Sequence, residues 1–122
     1  MVMKIIKTPR DEEVGILDAN SRIEANVRLT VRQEGGLKIE IENLESFPIE
    51  VSYEVELYEF LGFWRRVNTE VVFIQERETL LPGEKFTQIL NLDLPPGRYR
   101  VEKPIYVRGI KIKVWQEFTV GL

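Results

Sequence analysis

The side chains able to do chemistry in this 122-residue chain form a short inventory. Histidine and cysteine are both absent. That removes the commonest general base, the Ser-His-Asp arrangement, thiolate nucleophiles and nearly every zinc site. Carboxylates, Lys, Tyr, Ser and Thr remain. Glu54 and Glu56 stand two apart in an alternating run, so both fall on one face of a strand, where two carboxylates could act as an acid/base pair. A solvated or salt-bridged sheet face gives the same pattern and is the favoured reading. Asp11-Glu12-Glu13 offers oxygen ligands for calcium but lacks the ligand spacing of a known loop. No G-x-x-x-x-G-K-[ST] phosphate loop occurs, and Gly35-Gly36 is too poor to cradle a phosphate. No catalytic residue, metal or cofactor is expected, and no small-molecule substrate.

The elements that would position any site are strands. Ile23, Ala25, Val27, Leu29 and Val31 alternate with polar residues. Gly35-Gly36 then turns the chain into Leu37, Ile39 and Ile41. Phe47-Pro48 breaks that run, and Ile49, Val51, Tyr53, Val55 and Leu57 form the next period-2 stretch. Gly62 returns the chain through Phe63 to Val67, and Glu70 to Ile74 reads as a further short strand. Pro82-Gly83 is a turn. Phe86 to Leu94 is extended, and Tyr99–Val107 and Ile110–Val120 make a closing hairpin around Arg108-Gly109. No stretch has helical periodicity. Seven to eight strands with turns about every ten residues indicate an all-β sandwich or barrel. Residues 1–22 are less regular and read as a segment with a possible edge strand at Lys4–Lys7 and a loop. Residues 23–122 read as the sandwich.

Hydrophobic residues make up 43% of the chain and charged residues 30%, with a net charge of -3. This is ordinary for one globular domain and favours neither nucleic acid nor an acidic membrane. Abundant Glu, Lys and Arg without cysteine also fits a thermophilic source. No segment approaches the ~20 apolar residues of a membrane helix. The run after Met1 is too short for a signal-peptide core. A cytoplasmic location is therefore expected, the alternative being a mature secreted domain that has lost its signal.

Leu94-Pro95-Pro96-Gly97-Arg98-Tyr99-Arg100-Val101 has the layout of a tyrosine corner, in which a Tyr early in a strand bonds back to the backbone upstream. Two other blocks accompany it. One is Tyr53 to Tyr58 followed by Gly62-x-Trp64-x-x-Val67; the other is Leu81-Pro82-Gly83-Glu84. In order and spacing these blocks, with Glu117-Phe118-Thr119-Val120, resemble the bacterial immunoglobulin-like domain over about two thirds of the chain. The resemblance implies an immunoglobulin-like β-sandwich without catalytic residues. In place of the second cysteine of antibody domains stands Val101.

Charge is segregated. Residues 40–59 carry Glu40, Glu42, Glu45, Glu50, Glu54, Glu56 and Glu59 and no cation, whereas residues 98–113 carry Arg98, Arg100, Lys103, Arg108, Lys111 and Lys113 against Glu102 alone. Adjacent strands would set Glu54 and Glu56 against Arg98 and Arg100 within ion-pair range. A basic stripe on the last hairpin, with Tyr106 and Trp115 for stacking, is the alternative and would suit a weak nucleic-acid contact.

Phe60-Leu61-Gly62-Phe63-Trp64 is the segment that fits a turn least well, since turns are usually polar. Alternation cannot send Phe60, Leu61 and Phe63 all inward. Trp64 is expected to pack over the sheet. Phe60, Leu61, Phe63, Arg65 and Arg66 thus form the candidate partner-binding surface, because aromatics beside arginine dominate interface hot spots. Residues 1–22 folding back over them would remove that surface. The expected function is non-catalytic binding or assembly, with a protein partner or a second copy of the chain. The alternative is an enzyme inhibitor presenting loops, with the Pro-rich corner and Lys103-Pro104-Ile105-Tyr106 as candidates.

Overall fold

The structure, a computed structural model, describes residues 2–5, 25–68, 73 and 76–121. These form two antiparallel sheets and no helix. The strands are β1 (Val2–Ile5), β2 (Ala25–Gln33), β3 (Leu37–Asn43), β4 (Ile49–Ser52), β5 (Glu56–Phe60), β6 (Trp64–Arg66), β7 (Arg77–Leu80), β8 (Lys85–Leu90), β9 (Gly97–Val107) and β10 (Ile110–Val120). The first sheet has the order β1-β2-β3-β8 and the second β6-β5-β9-β4-β7, with β10 also on β9. This is the immunoglobulin-like sandwich expected from the alternation. The return strand expected at Phe63–Val67 is β6. The count exceeds seven to eight because the possible edge strand is formed as β1, because β7 is an extra short strand, and because β4 and β5 are one run broken in two. The expected strand at Glu70–Ile74 falls almost entirely outside the described residues, as does the Asp11-Glu12-Glu13 cluster.

Period-2 patterning builds the core. Val27, Leu29, Leu37, Ile39, Ile41, Val51, Val101, Ile105 and Val114 are all fully buried between the sheets, each such side chain contributing roughly 1.5–3 kcal/mol relative to exposure. Val101, at the position of the missing cysteine, is filled in by these neighbours, so apolar packing replaces the bridge.

The tyrosine corner is present. Tyr99 is buried, and its hydroxyl donates to the Pro95 carbonyl at 2.6 Å. Its ring stacks on Phe118 at 5.6 Å. Burial, then the Glu59 carboxylate, push the hydroxyl above its ordinary pKa. Tyr99→Phe should lower stability by about 1–2 kcal/mol, the cost of one lost hydrogen bond to a carbonyl in a closed corner. Guanidinium unfolding midpoints check this; an unchanged midpoint would mean that the two prolines alone hold the corner.

The break between β4 and β5 decides the rest of the second sheet. β10 pairs along one whole edge of β9, from Ile110 opposite Val107 to Val120 opposite Gly97. The other edge is shared by β4, with Val51 opposite Ile105, and β5, with Glu56 opposite Glu102. Between those pairs one side passes residues 52–55 and β9 passes only Lys103 and Pro104, so β4–β5 bulges. The break coincides with Pro104, which has no amide hydrogen to give a ladder.

The bulge corrects the expected charge pairing. Continued from β4, the register would set Glu56 opposite Arg100. The bulge moves it by two residues, so Tyr58 faces Arg100 and Glu56 faces Glu102. Glu56 pairs instead with Lys113 of β10 at 2.7 Å and Arg66 of β6 at 3.7 Å. Glu54 lies 3.9 Å from Lys111. Arg98 bonds Glu117, and Arg100 bonds Glu102, both at 2.6 Å. Lys111 and Lys113 of the basic block meet Glu54 and Glu56 of the acidic one. Glu42, Glu50 and Glu59, by contrast, are met by Arg28, Arg77 and Arg65 from outside the basic block, and Arg98 pairs with Glu117 outside the acidic one.

An aromatic hairpin rimmed with arginine as candidate functional site

The candidate surface is the tip of the β5–β6 hairpin. Tyr58, Glu59 and Phe60 pair with Arg66, Arg65 and Trp64. The turn closes through the Leu61 N–H, which donates to the Phe63 carbonyl at 2.8 Å. Gly62 takes φ of 85° there, a left-handed conformation that glycine adopts at no steric cost. Cross-strand geometry then separates the apolar residues. Phe60 meets Trp64 edge to face at 5.1 Å. Leu61 and Phe63 sit at the apex and are 52% and 61% exposed.

Phe60, Leu61, Phe63, Arg65 and Arg66 are therefore brought together on one hairpin, as their sequence adjacency requires. Arg65 pairs with Glu59, and Arg66 with Glu56. Arg98 joins from β9, its guanidinium 4.9 Å from the centre of the Phe60 ring and 5.5 Å from that of Trp64. In all three pairs the guanidinium is the more exposed partner and the glutamate lies beneath it. The outer skin around the tip is thus cationic although the pairs are neutral.

Beneath the tip lies a layer that the sequence reading missed. Arg100 and Glu102 point to the outer face of the second sheet, yet are 4% and 0% exposed. Arg100 is enclosed by Tyr58 and Trp64, each 4.9 Å away, and by Trp115 at 5.9 Å. Trp64 does pack over the sheet, and its contact is this guanidinium. Trp115 comes opposite Glu102 through the closing hairpin, but Tyr58 comes opposite Arg100 only in the bulged register, so residue spacing alone could not reveal the layer.

Several expectations change here. Lys103-Pro104-Ile105-Tyr106 is the middle of β9, buried except for part of Tyr106, and presents no loop to an enzyme. The basic block does not form an open stripe. Arg98, Arg100, Lys111 and Lys113 are salt-bridged. Arg108 lies 4.4 Å over Phe47, and Lys103 is buried. The Tyr106 ring is covered by Arg77 at 3.6 Å. Glu54 and Glu56 do not make a convergent pair either, because the bulge separates them and each has its own lysine. Among the described residues no group of three or more His, Cys, Asp or Glu could hold a metal ion, and no helix is long and apolar enough to cross a membrane.

β1 pairs with β2 in the other sheet, with Ile5 beside Ala25. Both residues lie at the end of the sandwich where β2 and β4 begin, whereas the hairpin turns at the far end. The span of β9 between these ends is about 30 Å at ~3.3 Å per residue. Residues 6–24, which lie outside the described residues, join Ile5 to Ala25.

No curated protein matches the chain in sequence. The sequence model of the bacterial Ig-like domain aligns with residues 20–120, from just ahead of β2 to the end of β10, and the chain belongs to that family.

Proposed function

We propose that this domain is a non-catalytic binding module whose contact surface is the β5–β6 hairpin. The observation that carries the reading is the exposure of Leu61 and Phe63 at the apex, with Phe60 and three arginines around them. Exposed aromatics at a rigid, protruding turn gain contact area with little ordering cost, and arginine beside them adds directional bonds. The surface fits a protein partner with an apolar pocket and an acidic rim, since the exposed member of every rim pair is a guanidinium.

A tagged Leu61→Ser/Phe63→Ser variant tests this. Both side chains are exposed, so stability should change by no more than about 0.5 kcal/mol. The wild type should retain a protein from lysate of the source cell, and the variant should release it. The same purified protein should then bind wild type but not variant in a titration. Equal retention by both forms, or by neither, overturns the reading.

A further inference from the structure

The fully buried amine of Lys103 has no part in the binding surface. Its Nζ donates to the carbonyl of Ser52 and, at 2.9 Å, to that of Glu54. Gln88, reaching over from β8 in the other sheet, donates to the Tyr53 carbonyl between them at 2.6 Å. Three successive carbonyls of the bulge, which the β9 ladder bypasses, are thus held by two side chains from different sheets. The ring of Phe86 closes the pocket, 5.2 Å from Nζ.

We propose that Lys103 is a proton-operated bolt on the β4–β5 bulge: the bulge is closed over a neutral amine and opens to water when that amine takes up a proton. Two carbonyl acceptors match the two hydrogens of a neutral amine, and among the described residues no carboxylate touches Nζ; its remaining side faces the Phe86 ring. Among the described residues, the side chains facing it from the neighbouring strands are uncharged. From β8 come Phe86 and Gln88; the inward residues of β2, β3 and β10 include Leu29, Ile39, Ile41, Val114 and Gln116, none of them ionisable. Glu54, in the bulge itself, is the carboxylate that acts on the amine. It lies in the bulge opposite Lys111 and contributes only its field. The Tyr53 hydroxyl bonds Glu78 at 2.8 Å at the exposed side of the bulge. Arg100 and Glu102 occupy the opposite face of β9.

Burial lowers the lysine to about 7 from its ordinary 10.5, with Glu54 opposing weakly. A depressed lysine favours the closed state at high pH. Closure is therefore progressively lost as pH falls from 10.5 towards 7 and loses nothing further below 7. Opening should grow about tenfold for each pH unit of that descent, the linkage expected for one proton.

Amide hydrogen exchange of the full chain, corrected for intrinsic rates, tests this. Protection of Glu54, Val55 and Glu56 should fall about tenfold per unit between pH 9 and pH 8, while Ile39 and Ile41 of β3 should show no matching fall. Protection that is flat at the bulge, or that falls in parallel in both places, overturns the proposal. In Lys103→Met the dependence at the bulge should vanish; its persistence would assign the proton elsewhere. Should that variant fail to fold, the wild type still decides. The 13C resonance of Lys103 Cε should titrate near 7, and a midpoint above 9 would refute a neutral bolt.

Discussion

Glu102→Leu is expected to destabilise the sandwich by about 3–5 kcal/mol, because it removes the buried carboxylate that pairs with Arg100 and, at 3.7 Å, with Lys113. Arg100 is 4% exposed, and Glu102 lies 2.6 Å from it. Once the carboxylate is gone, the charge stays inside a shell of Tyr58, Trp64 and Trp115. Those ring faces attract it by about 0.5–2 kcal/mol each at most, too little to replace an ion pair in a site that excludes water. The decisive comparison is the double variant Arg100→Met/Glu102→Leu. Removing both charges also removes the desolvation cost of both, so the double variant should return to within about 1 kcal/mol of wild type. Guanidinium unfolding of all three proteins checks this. A double variant as unstable as Glu102→Leu would show that packing around the aromatic layer, and not the lost carboxylate–guanidinium pair, carries the loss.

Asn43→Leu should cost about 3 kcal/mol although the substitution adds apolar surface. Asn43 is fully buried at the end of β3 and holds two loops together, 44–48 and 81–84. Its Nδ2 donates to the Phe47 carbonyl at 3.0 Å and to the Leu80 carbonyl at 2.9 Å, and its Oδ1 accepts from the Glu45 N–H at 2.8 Å. Its main chain accepts from Gly83 and donates to Glu84. Leucine keeps the main-chain bonds and abandons the other three, each orphaned group costing about 1–3 kcal/mol in proportion to its burial. Asn43→Asp is the more telling variant. It keeps the shape but turns an acceptor oxygen toward two carbonyls, so it should be at least as unstable as Asn43→Leu at neutral pH. Unfolding midpoints near those of wild type would mean that Pro82-Gly83 alone sets the end of β3.

Much of the fold was legible because it rests on local pattern. Strict alternation in residues 23–31, 37–42 and 110–114 needs only the two-residue period of a strand facing a core. The corner at Pro95-Pro96-Gly97 could be read because its parts are four residues apart, with Tyr99 reaching back to Pro95. The binding candidate was legible for the same reason, since Phe60 to Arg66 form one hairpin, and a hairpin brings neighbours in sequence together in space.

What escaped was whatever depends on register between distant strands. Glu54 and Glu56 could be assigned to neutralise a basic block, but their partners follow from the bulge at Ser52–Val55, and no local signal sets its size. Pro104 was visible, yet a proline in a strand can mark an edge as readily as a bulge. Lys103 looked like one more cation in a surface run. Alternation with Val101 and Ile105 puts its side chain on the inward face, and only the position of β9 beside the β4–β5 bulge sets carbonyls that lack a ladder there to receive it. The sequence by itself determined the class of fold, the corner and the apolar tip, because these are written in short-range spacing. The tertiary structure decided what the buried charges meet: Lys103 the carbonyls of the bulge, Arg100 and Glu102 the aromatic layer laid over them. Burial of a charge is settled by what the rest of the chain lays over it, and a two-residue slip between strands changes every such neighbour.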